Sequence, residues 1–306
     1  MAEFGLITYD DAVRREDLLD IISDVSPDDN PLSTMLATTT AKGTYHEWAE
    51  DYIDRPSSVA SSYEGQATSY SDLTQPSRRG NFTHIISQSY RVSGTERAVS
   101  VAGMSDPFAY QKAKALRQWK NNLEYALLRS TAASGSSGVA RTMIGISAVV
   151  TSHYTNRNSG TSLTEDMLLD GIQDVWTDVG GDSVCDLILT TMPLKRRISS
   201  FTAGSTKYID ASDKRLVRPV EVYESDAGLV RIMAHKDARN AAATPGPELL
   251  GLREDKWRVA YLRRPTSEDR PKDGDYTAGE IIGEMTLEYL AQRANFRQTG
   301  FVLTGI

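Results

Sequence analysis

The sequence of 306 residues is poor in cysteine, in histidine and in long apolar runs. Its single cysteine, Cys185, excludes disulfides within the chain, fits a reducing compartment and reads as a small buried hydrophobic residue in the run VCDLIL. No apolar stretch approaches the roughly 18 residues that cross a bilayer, so no membrane association is predicted. The first residues, MAEFGLITYDD, lack the basic end and apolar core of a signal peptide, which predicts synthesis and use in cytoplasm.

The sequence also lacks the motifs of catalytic and metal sites. The histidines are far apart and none shows the spacing of paired zinc ligands; they are His46, His84, His153 and His235. His84 lies on an alternating strand pattern, which favours a core or interface role over catalysis. There is no G-x-S-x-G elbow, and the glycines of SGSSG at 134–138 lack the lysine of a phosphate-binding loop. We therefore predict no catalytic residue, no bound metal and no cofactor.

Charge is distributed unevenly along the chain. Residues 1–54 contain 13 Asp and Glu against 3 Lys and Arg, whereas the rest of the chain carries a net charge of +3. An acidic arm lying on a more basic surface of a partner copy would have this asymmetry, and so would a solvated acidic face. A basic cluster (Lys195, Arg196 and Arg197) lies in a predicted helix. It could meet phosphate or an acidic neighbouring segment, and a solvated helix face is the ordinary alternative.

One long amphipathic helix is the clearest predicted element. Ser105 or Asp106 can cap it, Pro107 suits its first turn, and no proline or glycine interrupts it before Gly135. A length of about 24 residues corresponds to roughly 36 Å. Spacings of three and four residues define the predicted apolar side, which consists of Ala109, Ala113, Leu116, Trp119, Leu123, Ala126 and Leu127.

Before this helix the sequence predicts a long excursion of two strands. The outward strand is TYHEWAEDYI at 44–53, and the return run at 81–93 places Phe82, His84, Ile86, Tyr90 and Val92 on one face. The bridge between them is rich in serine, threonine, glycine and glutamine, so we expect it to be exposed. Because a two-stranded ribbon is barely stable alone, we expect it to lie on a neighbour.

After the long helix, helical and strand patterns alternate in a compact mixed unit. Ser162 and Glu165 form a predicted capping box for a helix from Leu163 to about Val179, which Gly180 ends. The further predicted elements are a buried strand at 183–190, a helix from about Pro193, a hairpin that turns at 225–228, and strands KWRVAYLRR and GEIIGEMTLEYL on either side of the charged loop at 265–275. The fold class is α+β.

Several blocks of this sequence occur together in a recognisable order. They are DLLDIISDVSPDDNPLSTML (17–36), EWAEDYID (47–54), the Glu64–Gly65 pair, RGNFTHIISQSYRVSGTERAVSVAG (79–103), LEYALL (123–128), ARTMIGI (140–146), KWRVAYLRRP, the Asp273-Gly274-Asp275 turn and EMTLEYL. In this order the chain resembles tailed-phage major capsid proteins of the HK97 fold, and more narrowly a podovirus-type head-protein family. No single block is diagnostic, and the joint pattern carries the resemblance over nearly the whole chain.

The resemblance implies the layout of an HK97-like fold. Residues 1–40 would form an N-terminal arm, 41–93 an extended loop over an adjacent subunit, 94–135 the peripheral domain with its spine helix, 136–252 the α/β axial domain, and 253–306 the C-terminal strands of the peripheral domain. Contacts of the loop with other subunits are expected at Trp48, Tyr52, Glu64, Arg78 and Arg79. The basic cluster would contact an acidic partner segment.

The function that the resemblance implies is that of a major capsid protein, and not of an enzyme. Such a protein self-assembles into hexamers and pentamers that form the icosahedral or prolate head shell around double-stranded DNA, without sequence-specific binding. Expected partners are other copies, a portal protein, a scaffolding protein and a decoration protein. The expected location is the virion, assembled in the host bacterial cytoplasm. An encapsulin-like cellular nanocompartment shell is the alternative, and a soluble α/β enzyme is a third class that only chain length favours.

Overall fold

The computed structural model describes residues 30–53, 59, 61–67, 74–99, 106–180, 184–201, 222–239 and 246–303. The predictions for residues 1–29 of the N-terminal arm, and for residues 54–58, 60 and 68–73 of the bridge between the two predicted strands, lie outside these ranges. The described strands form a four-stranded sheet, a six-stranded sheet and a two-stranded ribbon. Mixed helices and strands agree with the predicted α+β class.

The described helices are α1 (Pro31–Met35), α2 (Gly94–Ala98), α3 (Pro107–Arg129), α4 (Ile146–Val149), α5 (Glu165–Val179) and α6 (Met192–Phe201). The described strands are β1 (Ala37–Thr40), β2 (Tyr45–Glu50), β3 (Ser77–Phe82), β4 (His84–Ser93), β5 (His153–Thr161), β6 (Leu187–Thr190), β7 (Val222–Ser225), β8 (Gly228–Ala234), β9 (Glu248–Leu252), β10 (Trp257–Arg270), β11 (Tyr276–Tyr289) and β12 (Phe296–Phe301).

The four-stranded sheet has the order β1-β10-β11-β4 and packs against the long helix α3. Strand β1 runs parallel to β10, and the other neighbours are antiparallel. Trp119 of α3 is buried at this contact, and its indole Nε1 donates a hydrogen bond to the Ile86 carbonyl at 2.9 Å. Gly283 lies under the ring, where an added Cβ would be 2.8 Å from Trp119 Cζ2. A glycine in β11 therefore lets the helix approach the sheet closely.

The start of α3 is as predicted, because the Asp106 carboxylate accepts the Phe108 backbone N–H at 2.9 Å and Pro107 occupies the first turn. Its predicted apolar side is correct only in the C-terminal half, where Trp119, Leu123, Ala126 and Leu127 are buried. Ala109, Ala113 and Leu116 are exposed instead. In the first half the buried side is offset by about one residue from the predicted side, because the Phe108 ring packs on Tyr90 at a centroid distance of 5.3 Å and Ala115 faces inward.

The six-stranded sheet has the order β5-β12-β9-β6-β8-β7, and α5 packs on it. The Phe296 ring lies between two glycines: an added Cβ would be 2.0 Å from it at Gly251 of β9 and 2.5 Å at Gly171 of α5. The two small residues leave the space in which the ring packs between strand and helix. Burial of Phe296 at this point holds the helix on the sheet.

Helix α5 begins two residues later than predicted. Thr164, and not Ser162, caps it by accepting the Met167 backbone N–H at 3.4 Å, while Gly180 ends it as predicted with a φ of 93°. The sequence pattern therefore placed the cap two positions too early, since serine and threonine are both favoured N-cap residues.

Three further parts of the sequence prediction need correction. The return run is divided at Thr83, so that β3 pairs with β2 while β4 pairs with β11 in the four-stranded sheet. The hairpin β10–β11 extends to Arg270 and Tyr276, which shortens the predicted loop. Strand β12 was not predicted, and it lies in the six-stranded sheet. Two strands that are distant in sequence, β5 and β9, bind it there.

Candidate assembly surfaces

Strands β2 and β3 form a two-stranded ribbon that shares no strand with the four-stranded or the six-stranded sheet. Its register runs from Tyr45 opposite Phe82 to Glu50 opposite Ser77. The Tyr45 ring packs on Phe82 at a centroid distance of 4.7 Å and covers Gly80, where an added Cβ would be 2.7 Å from the ring. These cross-strand contacts hold the two strands together. The ribbon leads to the loop at 51–76.

The base of the ribbon rests on a polar side of β11. Glu284, Thr286 and Glu288 are buried and alternate with Met285 and Leu287, which face the core beneath α3. The alternation of a strand thus separates a polar side from an apolar side. His46 of β2 lies on the polar side, with its Nε2 3.2 Å from Glu288 Oε2. The ribbon and sheet therefore meet through polar groups.

Glu284 is the most densely bonded of these groups. Its carboxylate accepts hydrogen bonds from Thr83 Oγ1 at 2.7 Å, Arg141 Nη2 at 2.5 Å and Arg263 Nε at 3.0 Å. Burial opposes its ionisation, but the hydrogen bonds from Thr83 and Arg263 and the two guanidinium charges outweigh burial and hold the pKa of Glu284 below its ordinary value. The Glu284 carboxylate thus stays charged beside Thr83, where the chain passes from the ribbon into β4.

A second carboxylate, that of Glu50 at the end of β2, also binds the ribbon to the rest of the chain. It accepts hydrogen bonds from Arg79 Nε at 2.9 Å, from the Gln292 backbone N–H at 2.9 Å, and from the Tyr52 hydroxyl. Burial, the hydrogen bond to Glu50 and the charge of Glu50 together raise the pKa of Tyr52. The Arg293 guanidinium lies 4.5 Å from the centroid of the Tyr52 ring. Glu50 thereby ties the ribbon to the turn before β12.

The loop residues predicted at subunit contacts fall into two groups. Trp48, Tyr52 and Arg79 pack within their own chain, and the Trp48 ring meets Tyr289 edge-on at a centroid distance of 4.8 Å. Glu64 and Arg78 are exposed. The geometry brings the first three residues together at the ribbon base and leaves the other two on the outside. Contact of any of them with another subunit stays a prediction.

The basic cluster on α6 is spread around the helix. Arg196 is exposed, whereas Lys195 and Arg197 are half-buried. Arg197 Nε donates to the Leu163 carbonyl at 3.1 Å, and its guanidinium lies 5.8 Å from the Phe201 ring centroid. Arg197 therefore has a role inside the subunit, and contact of the cluster with an acidic segment stays a prediction.

Sequence reasoning missed a buried carboxylate on α3. Glu124 is fully buried and accepts the backbone N–H groups of Leu32 at 2.7 Å and Ser33 at 2.8 Å. His235, after β8, places its Nε2 2.8 Å from the same carboxylate. Glu124 therefore anchors the start of α1 to the long helix. Its partners are 92 and 111 residues away, and no local pattern in LEYALL indicates them.

Two further kinds of site, a metal site at the histidines and a membrane-spanning helix, were sought among the residues that the structure describes. His84 is half-buried on β4, and burial lowers its pKa. Within the described ranges, no cluster of three or more His, Cys, Asp or Glu side chains could hold a metal ion. None of the helices in those ranges combines the length and the apolar character needed to cross a membrane.

Comparison with known proteins identifies the family. A profile of the SU10 major capsid protein family matches residues 5–301. The chain belongs to this family. Comparison of this SU10-family protein with curated protein sequences gives no match. The family match confirms the resemblance to tailed-phage major capsid proteins.

Solved structures show the same fold. The capsid of cyanophage A-1(L) has a TM-score of 0.68 and 13% identity, with 94% of this chain and 97% of that chain covered. The capsid of Myoviridae phage XM1 has a TM-score of 0.61 and 11% identity, with 94% and 97% covered. The holo-SrpI encapsulin complex from Synechococcus elongatus PCC 7942 has a TM-score of 0.60 and 12% identity, with 95% and 93% covered. The predicted HK97-like fold is confirmed.

Family membership gives the function in outline. As a major capsid protein, this SU10-family chain is a structural protein that forms a shell. It follows that copies of the chain associate into capsomers and that the protein belongs to the virion.

Proposed function

We propose that this protein builds the head shell of a tailed phage from hexamers and pentamers that enclose double-stranded DNA. The observation that carries the proposal is the family match over residues 5–301. In this shell the N-terminal arm (1–40) and the extended loop (41–93) clasp neighbouring subunits, and the axial domain (136–252) lies around the five-fold and six-fold axes. The protein has a structural role and no catalytic one.

The geometry of the ribbon supports this division of roles. Its base is fixed to the same chain through hydrogen bonds of Glu50 and Glu284, so the position at which the loop at 51–76 begins is fixed as well. A shell needs only modest area in each contact, because each subunit touches several neighbours and the contacts reinforce one another. A long loop supplies that area without enlarging the core. Glu64 and Arg78 are exposed and available for such contacts.

We also propose the partners that shell assembly requires. They are a portal protein, a scaffolding protein and a decoration protein, and assembly takes place in the host bacterial cytoplasm. The inner surface of the shell is acidic or mixed in charge, so that it does not trap DNA during filling. Strong DNA binding by isolated capsomers at low salt would contradict this part of the proposal.

Deletion of residues 54–73 tests the role of the loop. Joining residue 53 to residue 74 leaves a six-residue turn between Glu50 and Ser77, which are opposite each other in the ribbon. We expect a folded protein with unchanged thermal unfolding that forms no closed shells under electron microscopy, whereas the full chain does. A Gly/Ser segment of the deleted length is the matched control, and it separates loop sequence from loop length. Normal shells from the deletion variant would overturn the proposal.

A cellular nanocompartment is the second candidate function, and the likeness to the SrpI encapsulin favours it. Both kinds of shell would pass an assembly test, so the contents decide between them. Particles purified from the natural source should contain a DNA genome if the chain is a phage capsid protein. Particles that contain an enzyme and no genome would favour the nanocompartment.

A further inference from the structure

The loop between α3 and α4 holds all but the last residue of the block ARTMIGI (140–146), to which the proposed function gives no role. It is a compact hairpin-like loop, with backbone bridges between Ala133 and Thr142 and between Ser136 and Val139. We call residues 130–145 the bracket loop. Its second half lies against the base of the ribbon, at the point where the chain passes from β3 into β4.

The bracket loop first holds the ribbon through Asn81. The Asn81 side chain accepts the Ile144 backbone N–H at 2.9 Å and donates to the Ile144 carbonyl at 3.2 Å. The same amide donates to the Leu287 carbonyl of β11 at 2.8 Å, and Asn81 is only 2% exposed. One buried side chain thus joins ribbon, bracket loop and sheet. A buried amide with its groups satisfied holds a defined geometry.

Arg141 makes the second contact between the bracket loop and the ribbon, at Thr83, which is two residues after Asn81. Its Nε donates to the Thr83 carbonyl at 2.8 Å, and its Nη2 donates to Glu284 at 2.5 Å. The guanidinium group is planar and rigid, so the two bonds fix the Thr83 peptide relative to β11. Thr83 lies between β3 and β4, and its own N–H donates to the Thr44 carbonyl at 2.9 Å. The chain passes between the ribbon and the four-stranded sheet at Thr44 and at Thr83, and this hydrogen bond joins the two points.

Arg263 offers a natural comparison within the same cluster. It lies opposite Glu284 in β10 and donates to its carboxylate at 3.0 Å. Among the described hydrogen bonds and ion pairs, Arg263 contacts Glu284 alone, whereas Arg141 also holds the Thr83 carbonyl. Both arginines place a positive charge beside the Glu284 carboxylate, and only Arg141 reaches the backbone of the ribbon.

We propose that the bracket loop is a clamp that sets the direction of the ribbon, with Arg141 as its positioning residue. The clamp fixes the Thr83 peptide through Arg141 and the neighbouring strand through Asn81 and Ile144. The direction of the ribbon decides where the loop at 51–76 reaches on an adjacent subunit, and this last step rests on the proposed function. The clamp itself is a property of the single subunit.

Spin-label distances in the unassembled full-length chain test the clamp directly. The buried Cys185 is replaced by alanine, and labels are attached to Ala49→Cys on the exposed side of β2 and Gln118→Cys on the exposed side of α3. In this background we compare Arg141→Ala with its matched control, Arg263→Ala. We expect Arg141→Ala to broaden or shift the distance distribution and Arg263→Ala to leave it unchanged. Equal distributions in both variants would overturn the clamp.

Arg141→Lys is the second variant, and it serves if Arg141→Ala does not fold. Lysine keeps the charge beside Glu284 but lacks the planar fork that bonds Thr83 and Glu284 at once. We expect a distribution broader than that of the parent chain, and an unchanged distribution would count against the proposal. Because no shell is present in this measurement, its failure is distinct from a failure of the proposed function, which the deletion of 54–73 tests separately.

Discussion

Glu124 and His235 face each other in the interior, with His235 Nε2 2.8 Å from Glu124 Oε1 and both side chains fully buried. The Asp237 backbone N–H donates to His235 Nδ1 at 3.1 Å, which assigns the ring proton to Nε2 and makes the imidazole a donor to the carboxylate. The same carboxylate accepts the backbone N–H groups of Leu32 and Ser33. One side chain therefore joins α1, the long helix and the turn after β8.

Replacement of Glu124 should be strongly destabilising. Glu124→Ala leaves three donors without an acceptor, two of them buried, so we expect the free energy of unfolding to fall by about 3–5 kcal/mol. Glu124→Gln should cost less, because its amide oxygen can still accept part of these bonds. Urea unfolding followed by tryptophan fluorescence measures the change. The exposed Glu96→Ala is the control and should stay within about 0.5 kcal/mol; an equally small effect of Glu124→Ala would refute the anchoring role.

Glu284 should make the fold sensitive to acid. Its folded pKa is lowered, so its charged form stabilises the fold at pH values above the unfolded pKa of about 4.3. That contribution is lost as the pH falls through the folded pKa. We therefore expect the stability difference between the parent chain and Glu284→Gln to be largest above about pH 5 and to shrink toward pH 3. Urea unfolding at several pH values measures it, with the exposed Glu64→Gln as a charge control. A difference that does not change with pH would contradict the assignment.

The glycines around Phe296 should not tolerate a methyl group. In Gly251→Ala the new Cβ would be 2.0 Å from Phe296 Cε1, and Gly171 blocks retreat of the ring on the other side. We expect a loss of about 1–3 kcal/mol in the free energy of unfolding. Gly43→Ala is the matched control, because its Cβ would be 3.5 Å from the nearest atom, the Tyr45 carbonyl oxygen. If the strain is at Phe296, adding Phe296→Leu to Gly251→Ala should cost less than the sum of the two changes.

Cys185 should report opening of the six-stranded unit. Burial first, and then the charge of Asp186, raise the pKa of the Cys185 thiol to about 12. At pH 8 the folded protein should therefore react with a thiol reagent only as fast as this unit opens, while the urea-unfolded chain should react at once. Ala49→Cys, on the exposed side of the ribbon, is the fast-reacting control. Rapid labelling of Cys185 in the folded protein would contradict its burial.

Local signals in the sequence were enough to predict several elements. Asp106 and Pro107 marked the start of α3, and the alternation of Ile86, Tyr90 and Val92 marked the buried side of β4. The buried Cys185 was also predicted correctly. In each case the deciding pattern lies within a few residues of the element.

Features that depend on distant partners could not be predicted. The run FRQTGF is polar enough to resemble a loop, yet β12 is almost wholly buried because β5 and β9 enclose it. Glu124 lies among apolar residues of α3, and its acceptor role depends on Leu32 and His235. Trp48 and Arg79 are predicted at contacts with other subunits, and nothing nearby in sequence showed that they would also contact Tyr289 and Glu50 within the chain.

The position of β12 makes completion of the six-stranded sheet a late event in translation. Among the described strands β5 pairs with β12 alone, and β12 is synthesised on the order of ten seconds after β5. Until then β5 has no partner and one edge of β9 is open, a condition that invites pairing with other chains. A ribosome that stops before residue 296 therefore releases a polypeptide with a broken sheet.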